Sequence, residues 1–246
     1  MITASIVVYH QDIEILQKTV YSFLNTPFPK KLFIIDNNES SNLKNIFPQE
    51  EVEHIKTKSN LGFGKGHNLI LDRISSEYHL ILNPDVEFSP DVLTKLIAQL
   101  KNEPNVSFIT PKIIYPDKGP QFACRKHPTF FSLLNRKLKW SKKYFYENEY
   151  RNQNLNYSFY PEFIHGCFML FKSKELLELK GFDERYFLYM EDADLCREIE
   201  NKGKKIMYFP EVQIIHHHQR GSSKSNKLFF IHTFSAIKYF LKWGFR

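Results

Sequence analysis

What the chain has little of narrows it first. It carries only three cysteines, Cys124, Cys167 and Cys196, widely spaced and in no CxxC pair, which excludes a disulfide framework and a zinc knuckle. No run of about 18 apolar residues occurs, so a transmembrane helix is not expected. The opening MITASIVVYH lacks the basic region and cleavage site of a signal peptide. These features point to the reducing cytosol, with attachment to the inner membrane surface left open. The chain has no Walker spacing followed by Lys-Ser/Thr, and no glycine fingerprint after its first strand, which argues against a P-loop or a Rossmann cofactor site. Internal repeats and an HExxH-like metal signature are also missing.

What is present is a basic, aromatic-rich globular chain. With 246 residues it can bury a core, and its 23 Phe and 13 Tyr supply bulky apolar surface. The formal net charge of +7 favours anionic partners such as nucleotides, diphosphates or an acidic membrane. The basic residues are scattered and acids occupy the expected ligand edge, so nucleic acid is not an expected partner.

Strands and helices alternate over the first 110 residues. Residues 2–9 read as a buried strand. Asp12 can cap a helix in which Ile13, Leu16, Val20 and Phe23 recur at helical spacing. Leu32–Asp36, His54–Thr57 and Tyr78–Asn83 read as further strands, with a glycine-rich loop over Asn60–Asn68 and a short helix at Leu69–Ile74. Ser89-Pro90-Asp91 starts another helix, and Val106–Thr110 closes this half. The pattern predicts a mostly parallel α/β sheet whose ligands bind beyond the carboxyl ends of the strands.

The second half is less regular. Residues 136–160 are basic, aromatic and Asn-rich without clean periodicity and read as a long loop. Phe163–Phe171 reads as a strand, Ser173 as the cap of a short helix, Glu191–Lys202 as a helix stopped by Gly203, and Lys205–Phe209 and Val212–His216 as late strands. The tail from Lys227 to Trp243 is helical in pattern, with Lys224, Lys227, Ser235, Lys238 and Lys242 as a narrow polar stripe. That pattern suits both a membrane interface and ordinary docking on the domain. The expected division is 1–225 for the main domain (1–112, an insertion at 113–160, then 161–225) and 226–246 for a terminal amphipathic helix.

The residues with chemistry to offer lie at element ends. Asp36, in IIDNNES, can accept from a nucleobase or ribose, or simply form a turn. Asp85, in LNPD, is a hard oxygen ligand suited to Mg²⁺ or Mn²⁺, or again a turn residue. The segment GFDERYFLYMEDADLCR is harder to explain by folding alone, because Glu191, Asp192 and Asp194 exceed what offsetting a helix dipole requires. Asp192 precedes Leu195 by three and Cys196 by four, so it is expected to face the packed side and Asp194 to point away. Among His216, His217 and His218, one imidazole could complete an oxygen-rich metal site.

Taken together, VVYH, IIDNNES, NLGFGKGHN, LNPD, IHGCFML, GFDERYFLYMEDADLCR and IIHHHQRGSS resemble the family 2 glycosyltransferases, in their bacterial rhamnosyltransferase-like branch. Residues 115–160 carry little of the match. The resemblance implies a GT-A fold and inverting transfer from a nucleotide-sugar. It implies donor contacts at Asp36, Asn60, Gly62, Gly64, Asn68, Asn83 and Asp85, and an acceptor side at Gly166 and Glu191. Asp192 would be the general base, and Asp85 with His216 the metal ligands. Asn83 stands where the family's DxD element has its first acid. The implied donor is dTDP-rhamnose, with UDP-linked sugars including galactofuranose left open, and the implied acceptor is a glycan or a polyprenyl-diphosphate-linked sugar. A non-catalytic nucleotide- or polyanion-binding module is the alternative, and lack of metal-dependent nucleotide binding would favour it.

Overall fold

A computed structural model describes residues 1–38, 42–138, 140–217 and 226–245. β1 (Ile2–Val8), α1 (Ile13–Leu24), β2 (Lys30–Asp36), a short α2 (Leu43–Ile46) and β3 (Val52–Lys56) come first. α3 (Phe63–Asn68) and a 3-10 turn at Leu71–Arg73 lead to β4 (Tyr78–Leu82), β5 (Val86–Glu87) and α4 (Asp91–Lys101). β6 (Val106–Ile114), β7 (Cys124–Arg125), α5 (Phe130–Leu138) and α6 (Lys142–Asn148) form the middle. β8 (Phe163–Ile164), β9 (Phe168–Lys172), α7 (Ser173–Glu178), α8 (Glu191–Asn201), β10 (Lys205–His216) and α9 (Asn226–Trp243) complete the chain.

The main sheet has the order β3-β2-β1-β4-β9-β6-β10-β5. β3, β2, β1 and β4 are parallel, β9 runs antiparallel between β4 and β6, and β10 is parallel to β6. β1 is β-branched and buried on both faces, as a central parallel strand must be. α1 begins where Asp12 Oδ1 accepts from the Glu14 and Ile15 amides at 2.9 and 3.2 Å, and it buries Leu16, Val20 and Phe23. One apolar layer joins α1 and α4 to Ile2, Ala4 and Ile6; the other joins α8 and α9 to Phe33, Ile35 and Phe108. This is the mostly parallel sheet with flanking helices that the alternation predicts.

Several local expectations need correction. Residues 136–160 are not one long loop, because α5 ends and α6 lies within them. Ser141 Oγ caps α6 at the Tyr144 amide, and the buried Glu149 carboxylate pairs with Arg125 and Arg151. Such distant partners leave no periodic signal. Phe163–Phe171 is broken at His165-Gly166-Cys167, where the chain leaves the small β7–β8 sheet for the main one. The two late strands are one, β10, with a register shift between Phe209 and Gln213. Part of the glycine loop is already helical as α3, whereas Leu69–Ile74 holds only a 3-10 turn. Ser173 lies inside α7 and makes no capping bond. Asp194 does not point away: it is 1% exposed, because α9 docks on that side of α8. The stripe on α9 is likewise turned inward at Ser235 and Lys242.

Candidate active site

Four strand ends meet at one edge. β2 and β4 flank β1, so Asp36 and the Asn83–Asp85 turn lie on either side of its carboxyl end. Leu82 pairs with Phe168, and the Asn83 amide donates to Cys167 O at 2.9 Å, which brings the His165–Cys167 turn to the same edge. His216 pairs with Val86, which places the end of β10 beside Asp85.

On the β2 side, Asp36 is buried and its Oδ1 accepts from the Asn38 amide at 3.0 Å. Asn37, also buried, donates to Asn60 Oδ1 and to Gly62 O, both at 3.2 Å, and Asn60 Oδ1 also accepts from the Gly62 amide at 2.9 Å. Gly62 has φ +81°, and a Cβ there would meet Phe187 O at 1.9 Å, so only glycine fits. Asn68 faces the 180s segment: its amide donates to Phe182 O at 2.8 Å and its carbonyl accepts from the Phe182 amide at 2.9 Å. A Cβ on Gly64 would meet Phe182 Cβ at 2.7 Å and lie 3.7 Å from Glu191 Cβ. The loop is thereby clamped against the acidic segment.

A polar chain lies behind this loop. His67 Nδ1, Ser5 Oγ and His79 Nε2 follow at 2.7 and 2.9 Å, and His79 Nδ1, Thr3 Oγ1 and Ser76 Oγ continue at 2.8 and 2.6 Å. Burial lowers the pKa of His67 and of His79 to about 3, so both are neutral tethers of α3 to the sheet.

The β4–β10 side holds the candidate metal ligands. Asp85 Oδ1 is 3.3 Å from His216 Nε2, yet no hydrogen bond closes on that buried oxygen. His216 Nδ1 contacts Gln121 Oε1 at 2.9 Å, and Gln121 Nε2 donates to His216 O at 2.6 Å, so the ring is held from behind. Asn83 Nδ2 is 3.5 Å from His216 Nε2. Burial opposes a charge on His216, but Cys167 and Asp85 outweigh it and raise its pKa to about 10, so a cation bound here would have to displace the ring's proton. Among the described residues no cluster of three His, Cys, Asp or Glu surrounds this point. One carboxylate and one imidazole fit Mg²⁺ or Mn²⁺, which take few protein ligands when substrate phosphates supply the rest. His217 is diverted to Glu87 at 2.5 Å, while His218, Arg220, Gly221, Ser222, Ser223 and Lys224 lie outside the described residues.

Asp192 stands at the start of α8. Its Oδ2 accepts from the Gly166 amide at 3.1 Å, its Oδ1 from the Ala193 amide at 2.9 Å, and His165 Nδ1 is 3.8 Å from Oδ2. A Cβ on Gly166 would approach Asp192 Cβ to 3.3 Å, so the glycine permits this contact. Burial raises the Asp192 pKa; the two amides and the Arg125 charge pull against it. Glu191 is more enclosed, with Oε2 unpartnered, and burial followed by the neighbouring Asp192 lifts its pKa to about 8. The structure therefore gathers Asp36, Asn83, Asp85, Gly166, Asp192 and His216 at one edge, with Asn60, Gly62 and Asn68 shaping its wall. Sequence reasoning gave no role to Asn37 and His165, although they lie in IIDNNES and IHGCFML, and it missed Gln121 and Arg125, which lie outside every motif; all four act through partners distant in the chain.

Comparison with known proteins bears on the fold and the family of the chain. The chain is 25% identical over 227 residues to N-acetylglucosaminyl-diphospho-decaprenol L-rhamnosyltransferase of Mycobacterium tuberculosis (strain CDC 1551 / Oshkosh), covering 83% of this chain and 73% of that one. It is 25% identical over 251 residues to the rhamnosyltransferase WbbL of Escherichia coli (strain K12), covering 95% and 90%. Among solved structures, GalNAc-T7 with UDP, GalNAc and Mn²⁺ superposes with a TM-score of 0.69 at 13% identity. That match covers 89% of this chain and 43% of GalNAc-T7, and it establishes the GT-A fold. The glycosyl transferase family 2 profile matches residues 4–176, more than half of the chain, and the protein belongs to that family as a glycosyltransferase.

Proposed function

We propose that the protein transfers a sugar with inversion, L-rhamnose from dTDP-rhamnose being the leading donor, in the synthesis of a cell-surface polysaccharide. The acceptor is a glycan or a polyprenyl-diphosphate-linked sugar, as the name of the mycobacterial relative suggests. The observation that carries the reading is the pairing of two separate centres at one sheet edge. Asp192, fixed by the Gly166 amide at 3.1 Å, lies on one side, and Asp85 with His216 at 3.3 Å lies on the other. In a single displacement the acceptor oxygen bonds to the anomeric carbon while the bond to the nucleotide diphosphate breaks. Asp192 takes the acceptor hydroxyl proton, a contribution of roughly 10²–10⁴-fold. Asp85 and His216 would hold Mg²⁺ or Mn²⁺, which supplies charge neutralisation for the departing diphosphate. Asp36, Asn60, Gly62, Gly64, Asn68 and Asn83 would form the donor wall, and Gly166 and Glu191 the acceptor side.

Membrane contact through α9 belongs to the same reading. Phe230, Phe234, Ile237 and Leu241 recur at spacings of four, three and four, and all are exposed, Leu241 to 77%. They form one outward apolar stripe, with the exposed Lys227 on the same helix and Lys137 of α5 over the Phe229 ring at 4.5 Å. Among the described residues no helix is long and apolar enough to cross a membrane. The expected place is therefore the cytoplasmic membrane surface, where a lipid-linked acceptor would be met.

The deciding experiment is a screen of nucleotide-sugars for slow hydrolysis with Mg²⁺ or Mn²⁺. Release of rhamnose from dTDP-rhamnose is expected. Oligonucleotide binding without any nucleotide-sugar turnover would favour the non-catalytic module instead.

A further inference from the structure

The turn that delivers Asp192 is backbone-strained. Tyr189 and Met190 both have left-handed φ, 69° and 71°, although neither is glycine. Such conformations are unfavourable for side chains other than glycine and persist only where surrounding contacts hold them. Met190 is also the residue from which α8 starts, and its carbonyl accepts from the Asp194 amide at 2.8 Å.

Within the turn the Glu191 carboxylate takes the Tyr189 amide, and α9 braces it from outside. Ser235 Oγ donates to Leu188 O at 2.9 Å, Lys238 Nζ to Arg185 O at 2.5 Å, and the His232 ring lies 5.3 Å from that of Tyr189. One helical turn further, Lys242 Nζ reaches Asp194 and Glu198, each at 2.8 Å, and Asp183 at 3.4 Å. Trp243 Nε1 donates to Asp194 Oδ1 at 2.7 Å, with Tyr186 OH at 3.2 Å on the same oxygen. These contacts bracket the Tyr189–Met190 turn, from Asp183 and Arg185 before it to Asp194 and Glu198 after it. The same segment touches the donor loop, where Phe187 O accepts from the Phe63 amide at 3.2 Å.

We propose that α9 is a strut for the general base: Lys242 and Trp243 are positioning residues that keep the Tyr189–Met190 turn in its left-handed form and Asp192 at the Gly166 amide. The inference rests on the reading of Asp192 as the base. Loss of the strut lets the turn relax toward ordinary backbone angles and withdraws the carboxylate, while the donor side at Asp36 and Asp85 stays in place.

The test compares Lys242→Met, Lys242→Arg and Trp243→Phe with the wild type in the full chain. Amide exchange is followed across 187–194 and across β1 and β4, with calorimetric binding of dTDP plus Mg²⁺. Turnover is measured with dTDP-rhamnose and a short-chain N-acetylglucosaminyl-diphospho-polyprenol. Lys242→Met is expected to speed exchange at 188–193 but not in the sheet. It is expected to lower kcat by about 10- to 100-fold and to change dTDP affinity less than about twofold. Lys242→Arg restores most of the turnover, and Trp243→Phe gives an intermediate loss. Unchanged exchange at 188–193 overturns the strut whichever donor the enzyme takes, as does full turnover despite faster exchange, or a parallel fall of dTDP affinity and kcat. Should Lys242→Met fail to fold, Trp243→Phe, which deletes one hydrogen bond and keeps the aromatic packing, carries the same criteria. An active Asp192→Asn enzyme would remove the base assignment; an inactive one beside a fully active Lys242→Met enzyme would remove only the strut.

Discussion

Gln121 holds His216 by two hydrogen bonds, one to the ring Nδ1 at 2.9 Å and one to the carbonyl oxygen at 2.6 Å. The ring is thereby held with its Nε2 toward Asp85. A residue outside every motif thus orients the candidate ligand.

Replacing Gln121 by Leu should therefore weaken metal-dependent nucleotide binding without touching the ligands themselves. The expected loss in Mg²⁺ or Mn²⁺ affinity is about 10–100-fold, the usual cost of removing an orienting partner. Titration of the metal in the presence of dTDP measures it. Chelation should abolish the same binding, and an enzyme that binds dTDP equally well in chelator has no cation at Asp85.

Asp192→Asn keeps the size of the side chain and one of its two bonds from backbone amides, since Nδ2 cannot accept from an N–H, and it cannot take the acceptor's proton. Turnover should fall by about 10²–10⁴-fold while donor binding is retained. Rapid-quench transfer assays beside calorimetric donor binding separate the two effects.

The pH profile follows from burial at the same residue. The folded-state pKa of Asp192 is raised, and the base works only when ionised, so kcat should fall as pH decreases through that raised value. The acid limb should lie above about pH 4, the ordinary aspartate range. In Asp192→Asn the limb should vanish from the residual rate, and its persistence there would assign it to another group.

Changing Phe234 and Leu241 together to Ser should leave turnover of a soluble acceptor intact, because both side chains face outward. Binding to vesicles containing phosphatidylglycerol should drop by about tenfold or more, given the apolar area removed. Flotation assays decide, and equal binding by the variant would mean that α9 does not seat the protein on lipid.

His67 and His79 make the fold acid-sensitive. Their folded pKa values of about 3 lie below the unfolded value of 6.5. Above pH 6.5 both states are neutral there and nothing is lost. As pH falls from 6.5 toward 3 the unfolded chain takes up protons that the folded chain refuses, which costs about 1.4 kcal/mol per unit for each ring. Urea denaturation between pH 6 and 4 should show a slope shallower by about that amount in His79→Gln than in the wild type.

Much of the donor half was legible in the sequence because it depends on short-range order. Periodicity placed α1, α4 and the buried strands, and turn chemistry placed Asp36 and Asp85 at strand ends. The middle region was not legible, since α5 and α6 are ordered by Glu149 with Arg125 and Arg151 and by Asn135 with Ser141, pairs that leave no repeating pattern. Asp194 was misplaced for a related reason. A helical wheel gives angles relative to neighbours on the same helix but cannot say which side a later helix will cover.

By itself the sequence determined which residue types stand at strand ends, that the sheet is largely parallel, and that an acidic cluster opens the helix after GFDERYFLYM. Spacing and backbone propensity are enough for that. Only the tertiary structure decided that Gln121 backs His216, that Gly166 meets Asp192, and that α9 turns Lys242 toward Asp194 and Phe230 and Phe234 outward. Those are contacts between segments tens of residues apart, fixed by how the layers pack and by the need to partner a buried carboxylate, and no local pattern encodes them.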